Sequence, residues 1–242
     1  MTRKLFTNAA IYTPADSGYP LSGGDQGRLQ QFEPGALLVD EGRLLAVGEE
    51  AVVSKDPRAQ AAEKVVNCQG ACLVPGLVDP HTHMCFTELR EQEFALRLAG
   101  TPYLEILKQS GGILSSVKAV REAEPEQLVE TTRRHVLTAL ALGTTTLEIK
   151  SGYGLDTPSE LKMLAAIDAV AKQTPLDVVA TFLGAHAIPA EYRRDPDGFV
   201  TLVVDEMLPA VVEQGIARFC DVFCEEGVFS PDQSRRILMA AK

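Results

Sequence analysis

The stretch that decides the fold is Leu73-Val74-Pro75-Gly76-Leu77-Val78-Asp79-Pro80-His81-Thr82-His83. An apolar run punctuated by Pro-Gly predicts a buried strand, and it ends in two histidines one residue apart. Because strand side chains alternate between faces, His81 and His83 are expected to point the same way. Two imidazoles at a strand end can bind one zinc or iron ion. Asp79 falls on the same face of the strand, where a carboxylate can serve as a further ligand or orient a ligand histidine. The alternative is a pair of loop histidines after a turn.

The composition excludes several classes of protein. Of the 242 residues, 45% are apolar and 23% charged, as in ordinary globular proteins. A net charge of -10 without any basic run argues against a nucleic-acid or anionic-membrane partner. The N-terminus lacks the apolar region of a signal peptide, and no run approaches the ~18 apolar residues of a membrane span. We therefore expect a cytoplasmic protein.

The cysteine pattern favours a reducing compartment. The five cysteines are odd in number, and none forms a Cys-x-x-Cys pair. They are expected to be reduced, buried thiols. Cys85, two residues after His83, either approaches the metal or is a small core residue.

The sequence from residue 4 to residue 72 predicts a series of short strands. The clearest case is residues 36–48, which read as strand, Asp-Glu-Gly turn, strand. Residues 14–34 are rich in Gly, Ser, Asp and Gln and are predicted to form a surface loop. We place a domain boundary after residue 72, giving domains 1–72 and 73–242.

After His83 helices and strands alternate. Helical spacing covers residues 88–109 and 115–142, and further helices are predicted at 157–170, 199–214 and from 230 onward. Strands are predicted at 143–150, 177–183 and 219–224. Polar residues follow the strands, as in a (β/α) barrel of the α/β class. Four β/α units can be counted, whereas a closed barrel has eight.

These segments carry a recognisable set of motifs. The chain resembles the imidazolonepropionase family of the amidohydrolase superfamily. The first motif, 74–83, is shared across amidohydrolases, and the others are more specific. They are Glu93-Phe94 with Arg97-Leu98 and Gly100, Gly111-Gly112-Ile113-Leu114-Ser115-Ser116-Val117, Glu148-Ile149-Lys150-Ser151-Gly152-Tyr153-Gly154-Leu155, Leu183-Gly184-Ala185-His186-Ala187-Ile188-Pro189 and residues 221–230.

The resemblance implies an eight-stranded barrel joined to a small β-sandwich, of which this chain would hold about the first four β/α units and the N-terminal part of the sandwich. It implies hydrolysis of the cyclic amide 4-imidazolone-5-propanoate to N-formimidoyl-L-glutamate in histidine degradation, with one zinc or iron ion per site. His81 and His83 match the family's metal ligands, and Arg90, Tyr153 and His186 match substrate contacts. The family's third metal histidine and catalytic glutamate are expected beyond Lys242.

Each of these residues also has a simpler interpretation. Arg90 suits a bidentate pair with a propionate carboxylate, or is a solvated helix arginine. Tyr153 reaches a ligand, or is an ordinary loop tyrosine. His186 hydrogen-bonds the ring or its developing oxyanion, or is a core histidine satisfied by backbone. Lys150 either bridges metals after carbamylation or pairs with Glu148 or Glu225. His135 is expected at the surface.

Three functions remain open at this point. The first is imidazolone propionate hydrolysis, and the second is another cyclic amidohydrolase or a deaminase of the same superfamily. The third is a non-catalytic fragment, because two histidines fall short of the three protein ligands usual in a catalytic zinc site. Assembly into a homodimer is also left open.

Overall fold

The structure is a computed structural model that describes residues 2–15, 17–89, 91–101 and 112–242. The chain forms two compact units, Met1–Pro75 and Gly76–Lys242. The division falls just after the boundary predicted at residue 72.

The N-terminal unit is built on a mixed five-stranded sheet of order β3-β2-β1-β4, with β5 also paired to β1. Its strands are β1 Lys4–Pro14, β2 Leu29–Asp40, β3 Arg43–Glu49, β4 Lys64–Asn67 and β5 Cys72–Leu73, and its two short helices are α1 Glu50–Val53 and α2 Pro57–Gln60. The β2–β3 hairpin turns at Glu41 and Gly42, both with positive φ, as a tight two-residue hairpin requires. The strand-turn-strand prediction for 36–48 is confirmed.

The loop predicted at residues 14–34 is shorter than expected. Strand β1 extends to Pro14 and pairs antiparallel with the start of β2, with Pro14 opposite Leu29. A 3-10 helix, Gly23–Gly27, occupies the connection. The polar composition suggested a loop, but a long antiparallel pair supplies backbone hydrogen bonds whatever its exposed side chains are. Whether this sheet belongs to a β-sandwich stays a prediction.

The C-terminal unit contains a parallel sheet of order β6-β7-β8-β9. The strands are β6 Leu77–Thr82, β7 Thr144–Lys150, β8 Asp177–Ala185 and β9 Phe219–Val222. Leu147 and Ile149 of β7 and Phe182 of β8 are almost fully buried in the core of this unit. An α/β fold with consecutive parallel strands is what the alternating pattern predicted.

Helices separate the strands along the chain. They are α3 Glu91–Leu98, α4 Ile113–Glu122, α5 Pro125–Ala141, α6 Thr157–Gln173, α7 Pro196–Leu202, α8 Leu208–Gln214 and α9 Pro231–Ala241, with a π-helical turn, Val203–Met207, joining α7 to α8. The single helix expected over 115–142 is two helices, because Pro125 begins a new helix and lacks the N–H that continuation would need. Of the helix predicted over 88–109, Arg90 and residues 102–109 lie outside the described residues.

Strand β6 is not the buried strand that its apolar sequence suggested. Leu77 is 58% exposed and Val78 63% exposed. Among the described strands, β6 pairs only with β7, so it lies at an edge of the sheet. Apolar composition alone does not distinguish an edge strand from a central one.

The thiols are free but only partly buried. Cys85 is completely buried, whereas Cys72 and Cys224 are exposed. The expectation of buried cysteines is therefore wrong for these two, because Cys72 begins a two-residue strand and Cys224 follows β9 in an isolated bridge with Phe229. Within the described part of the chain, none of the helices is both long and apolar enough to cross a membrane.

Candidate functional site

Four aromatic rings gather where three neighbouring strands end. His83 is their centre: its ring centroid lies 5.4 Å from that of His81, 5.9 Å from that of Tyr153 and 4.8 Å from that of His186. These residues lie on β6, directly after β6, and after β7 and β8. Parallel strands bring their carboxyl ends to one edge of the sheet, which is where barrel enzymes place their active sites.

The ring of His83 is in the neutral form that a metal ligand requires. Its Nδ1 atom is buried and makes no hydrogen bond to any of the described residues. Burial lowers the pKa of His83 to about 4, with help from His186, His81 and Lys150. A neutral imidazole with an unused buried nitrogen is the form that binds a metal ion.

The strand end that carries the two histidines is tied to β7 through Thr82, the buried residue between them. The Thr82 backbone N–H donates to Glu148 Oε2 at 3.1 Å, and its hydroxyl donates to the Glu148 carbonyl at 2.7 Å. His81 is exposed, and its backbone N lies 3.5 Å from Asp79 Oδ1. Asp79 is half-buried on the same strand.

His186 is fixed by a backbone carbonyl. Its Nδ1 lies 2.9 Å from the oxygen of Gly152. A carbonyl oxygen only accepts, so Nδ1 carries the proton and Nε2 is left as the second ring nitrogen. Burial lowers the pKa of His186, although the Gly152 hydrogen bond opposes the shift. The neutral ring therefore presents a lone pair at Nε2, and it stacks on His83 with an interplanar angle of 16°.

Tyr153 follows β7 in a loop flanked by glycines. Its ring centroid lies 5.2 Å from that of His186, so the two predicted substrate contacts are neighbours. Gly152 has φ of +102°, and a Cβ there would come within 2.8 Å of the Leu183 carbonyl oxygen. Only glycine allows the close approach that places this loop against β8. The remaining predicted substrate contact, Arg90, lies outside the described residues.

Lys150 is an ion-paired ammonium group. Its Nζ lies 2.8 Å from Glu148 Oε1 and 3.0 Å from Asp221 Oδ2, and its side chain is 5% exposed. Burial lowers the pKa of Lys150, but the hydrogen bonds to the two carboxylates raise it by more. The expected pairing with Glu148 is present, and Asp221 takes the place suggested for Glu225. These two ion pairs favour the pairing interpretation of Lys150 over the metal-bridging one.

His135 is not the surface residue that its neighbouring arginines suggested. It is half-buried, with Nδ1 2.9 Å from the Met84 carbonyl oxygen and its ring stacked on Phe86 at 4.6 Å. His135 lies next to the buried Val136 on helix α5, while Arg134 stays exposed.

A metal ion fits part of this site. The buried unused nitrogen of His83 beside the His81 ring suits imidazole ligation of zinc or iron. Within the described ranges there is no group of three or more His, Cys, Asp or Glu side chains that could hold an ion. The described residues thus offer two ligands, one fewer than a catalytic zinc site usually takes from protein.

The three histidine rings of the cluster open onto a cavity of about 370 Å³, which is the size of a small-molecule site. It is lined by His81, His83, Leu183, His186, Asp221, Val222, Phe223 and Cys224. The charged lining group, Asp221, is also the carboxylate that holds Lys150.

Two supporting residues escaped the sequence analysis. Glu160 lies in the first turn of α6, whose N-cap is Asp156. The Asp156 side chain accepts a hydrogen bond from Ser159 N at 2.8 Å. Glu160 instead turns inward to the loop around Tyr153. Arg121 binds the same loop from α4. A glutamate within a capping sequence carries no local signal that separates the two roles.

The sequence of this chain matches a known protein family. Residues 72–228 match the Amidohydrolase family. This chain belongs to the amidohydrolase family. It is 58% identical over all 242 residues to an imidazolonepropionase of Desulfotalea psychrophila and 57% identical to one of Syntrophobacter fumaroxidans. The chain spans 58% and 57% of the lengths of these two relatives.

Solved structures agree on the fold. The chain resembles Escherichia coli guanine deaminase with a TM-score of 0.63 at 15% identity, covering 98% of this chain and 49% of that one. It also resembles a zinc-complexed atrazine chlorohydrolase of Arthrobacter aurescens TC1, with a TM-score of 0.56 at 15% identity, covering 98% and 50%. At such identity these likenesses establish the amidohydrolase-type α/β fold of this chain.

Proposed function

We propose that this chain forms part of an enzyme that hydrolyses the ring amide of 4-imidazolone-5-propanoate to N-formimidoyl-L-glutamate in histidine degradation. The observation that carries the proposal is the cluster of His81, His83, Tyr153 and His186 at one edge of the parallel sheet. Support for the substrate comes from the two relatives named imidazolonepropionase, which match the chain over its whole length.

Hydrolysis of a cyclic amide requires a stronger nucleophile than water and a polarised carbonyl, because the amide reacts only slowly with water at neutral pH. We assign His81 and His83 as two ligands of a single zinc or iron ion. When bound, that ion activates water and withdraws electrons from the ring carbonyl. The low pKa of His83, about 4, keeps its ring neutral for ligation throughout the neutral range.

The other residues bind and orient the substrate. His186 offers the Nε2 lone pair to a ring N–H of the imidazolone, since its Nδ1 proton is engaged by Gly152. Tyr153 brings a hydroxyl beside that ring. For Arg90 we propose a bidentate pair with the propionate carboxylate, on the strength of the family resemblance alone.

The third metal ligand and the catalytic glutamate are proposed to come from outside residues 1–242. The relatives are longer than the stretch this chain matches, and the described residues supply no third ligand. For the same reason we propose that the 242-residue polypeptide has no meaningful turnover by itself. Its cytoplasmic localisation, small-molecule substrate, lack of nucleic-acid or membrane partners and assembly as a homodimer remain proposals.

The test is a fusion of residues 1–242 to the part of the Desulfotalea psychrophila relative that the chain does not match. We expect this fusion, and not residues 1–242 alone, to hydrolyse imidazolone propionate and to contain about one zinc or iron ion per chain. His83→Ala should abolish both properties. Hydantoin, dihydroorotate and guanine serve as competing substrates.

Each contrary result has a distinct meaning. Preferential turnover of guanine or another cyclic amide would favour the alternative amidohydrolase or deaminase. Equal turnover by residues 1–242 alone would refute the assignment of missing ligands. Activity that survives His83→Ala with full metal content would refute the metal-ligand assignment.

A further inference from the structure

A carboxylate that the proposed chemistry does not use is buried behind the site. Glu160, in the first turn of α6, has no exposed surface. Its Oε2 accepts from Gly152 N at 2.9 Å, and its Oε1 accepts from Gly154 N at 2.8 Å and Leu155 N at 2.9 Å. Three backbone N–H donors offset the cost of burying this group, so the carboxyl and the loop depend on each other.

The carbonyls of the same loop are bound by a second side chain. Arg121 Nε donates to the Gly154 oxygen at 2.7 Å, and Nη2 donates to the Leu155 oxygen at 3.2 Å. The guanidinium also pairs with Asp156 at 2.8 Å, at the N-cap of α6. Two consecutive carbonyls and three N–H groups are thus bound by two side chains, which leaves the backbone between them little freedom.

This loop connects directly to the site. Gly152 donates its N–H to Glu160 and accepts the Nδ1 proton of His186 with its carbonyl. Tyr153, the next residue, packs on the His186 ring at 5.2 Å. A displacement of Gly152 therefore moves both predicted substrate contacts and removes the acceptor that sets the proton on His186.

We propose that Glu160 is a positioning residue: by binding the backbone N–H groups of residues 152–155, while Arg121 binds the carbonyls, it fixes the Gly152 carbonyl and the place of Tyr153. The Gly152 carbonyl in turn fixes the Nδ1-protonated tautomer of His186. Its effect on catalysis rests on the function proposed above, whereas its effect on His186 does not. Glutamate is required because one oxygen serves Gly152 and the other serves Gly154 and Leu155.

The variant that tests this is Glu160→Gln, which keeps the shape but places an NH2 group against an N–H donor. The readout is the tautomer of His186 by two-bond ¹H–¹⁵N correlation on residues 1–242, a tractable measurement because the chain has four histidines. We expect the ratio of Nδ1–H to Nε2–H forms to fall about tenfold, as loss of one hydrogen bond allows. Asp195→Asn is the matched control, because Asp195 also accepts a backbone N–H at a helix start, from Gly198, away from the loop.

Arg121→Gln is a second variant in case Glu160→Gln fails to fold, and we expect the same shift at His186 with a smaller amplitude. In the fusion enzyme, Glu160→Gln should raise KM by a larger factor than it lowers kcat, since it displaces binding groups. An unchanged His186 tautomer in a folded Glu160→Gln protein, or in Arg121→Gln where the first does not fold, would overturn the proposal. A fusion without activity would count against the proposed function and leave the tautomer result standing.

Discussion

The ends of β6 and β7 face the same ring cluster but are held in different ways. The loop after β7 has its N–H groups bound by Glu160 and its carbonyls by Arg121. The end of β6 is attached through Thr82 to Glu148, and next to it His83 keeps a buried nitrogen with no partner among the described residues. The β7 loop is preorganised by this chain itself, whereas we propose that a metal ion completes the β6 end.

The largest predicted effect concerns Glu148, which accepts a hydrogen bond from Thr82 at the end of β6 and pairs with Lys150 on β7. Lys150→Met removes the ammonium group that holds Glu148, whose side chain is 12% exposed, and leaves a carboxylate without its cation. Stability should fall by about 4 kcal/mol, as on breaking a buried pair. The control is Lys172→Met, which breaks the exposed pair with Asp168 and should cost at most about 0.5 kcal/mol. Urea unfolding measures the stability of both variants. Equally small losses of stability would show that the Lys150–Glu148 pair does not stabilise the fold.

The second prediction compares the strands themselves. Leu147 of β7 is fully buried, and Leu147→Ala should cost about 3 kcal/mol through lost burial and a cavity. Leu77 of β6 is 58% exposed, so Leu77→Ala should change stability by no more than about 0.5 kcal/mol. Denaturant midpoints of the two variants give the comparison directly. A large cost at Leu77 would mean that β6 is covered in solution.

A third change strains the β7 loop. Gly152→Ala puts a Cβ at positive φ and within 2.8 Å of the Leu183 carbonyl oxygen. The expected loss is about 2 kcal/mol, together with altered His186 resonances. Gly227→Ala isolates the backbone contribution, because Gly227 has φ of +82° with nothing within 4 Å of its Cβ. If both variants lose the same stability, the close approach of position 152 to the Leu183 carbonyl does not contribute to the loss.

The smallest predicted effect is ligand binding at the β6 end. Zinc at tenfold excess over its dissociation constant should stabilise residues 1–242 by about 1.4 kcal/mol. His83→Ala should lose this response, whereas His135→Ala, which removes a half-buried histidine bound to Met84, should retain it. Thermal unfolding with and without zinc measures the difference. A full response in His83→Ala would place the ion elsewhere.

Local signals predicted the order of elements and the His81–His83 pair, whereas the family resemblance pointed to Tyr153 and His186. The Pro-Gly run ending in His81 and His83, the Asp-Glu-Gly hairpin and the strand before Tyr153 each depend on nearest neighbours along the chain, and the structure contains all of them. The errors arose where distant partners decide. Exposure of Leu77, inward placement of His135 and pairing of residues near Pro14 with β2 depend on elements far away in sequence.

The sequence by itself determined the α/β class and placed His81, His83, Tyr153 and His186 at the carboxyl ends of strands, because side-chain periodicity and parallel strands fix which residues share an edge. The grouping of these four residues into one site was implied by the resemblance to amidohydrolases. Only the tertiary structure decided that Glu160 and Arg121 hold the loop after β7, that Asp221 shares Lys150 with Glu148, and that Gly152 sets the proton on His186. These are hydrogen bonds and ion pairs between groups on different elements, and their strength depends on distance and burial that no local pattern encodes.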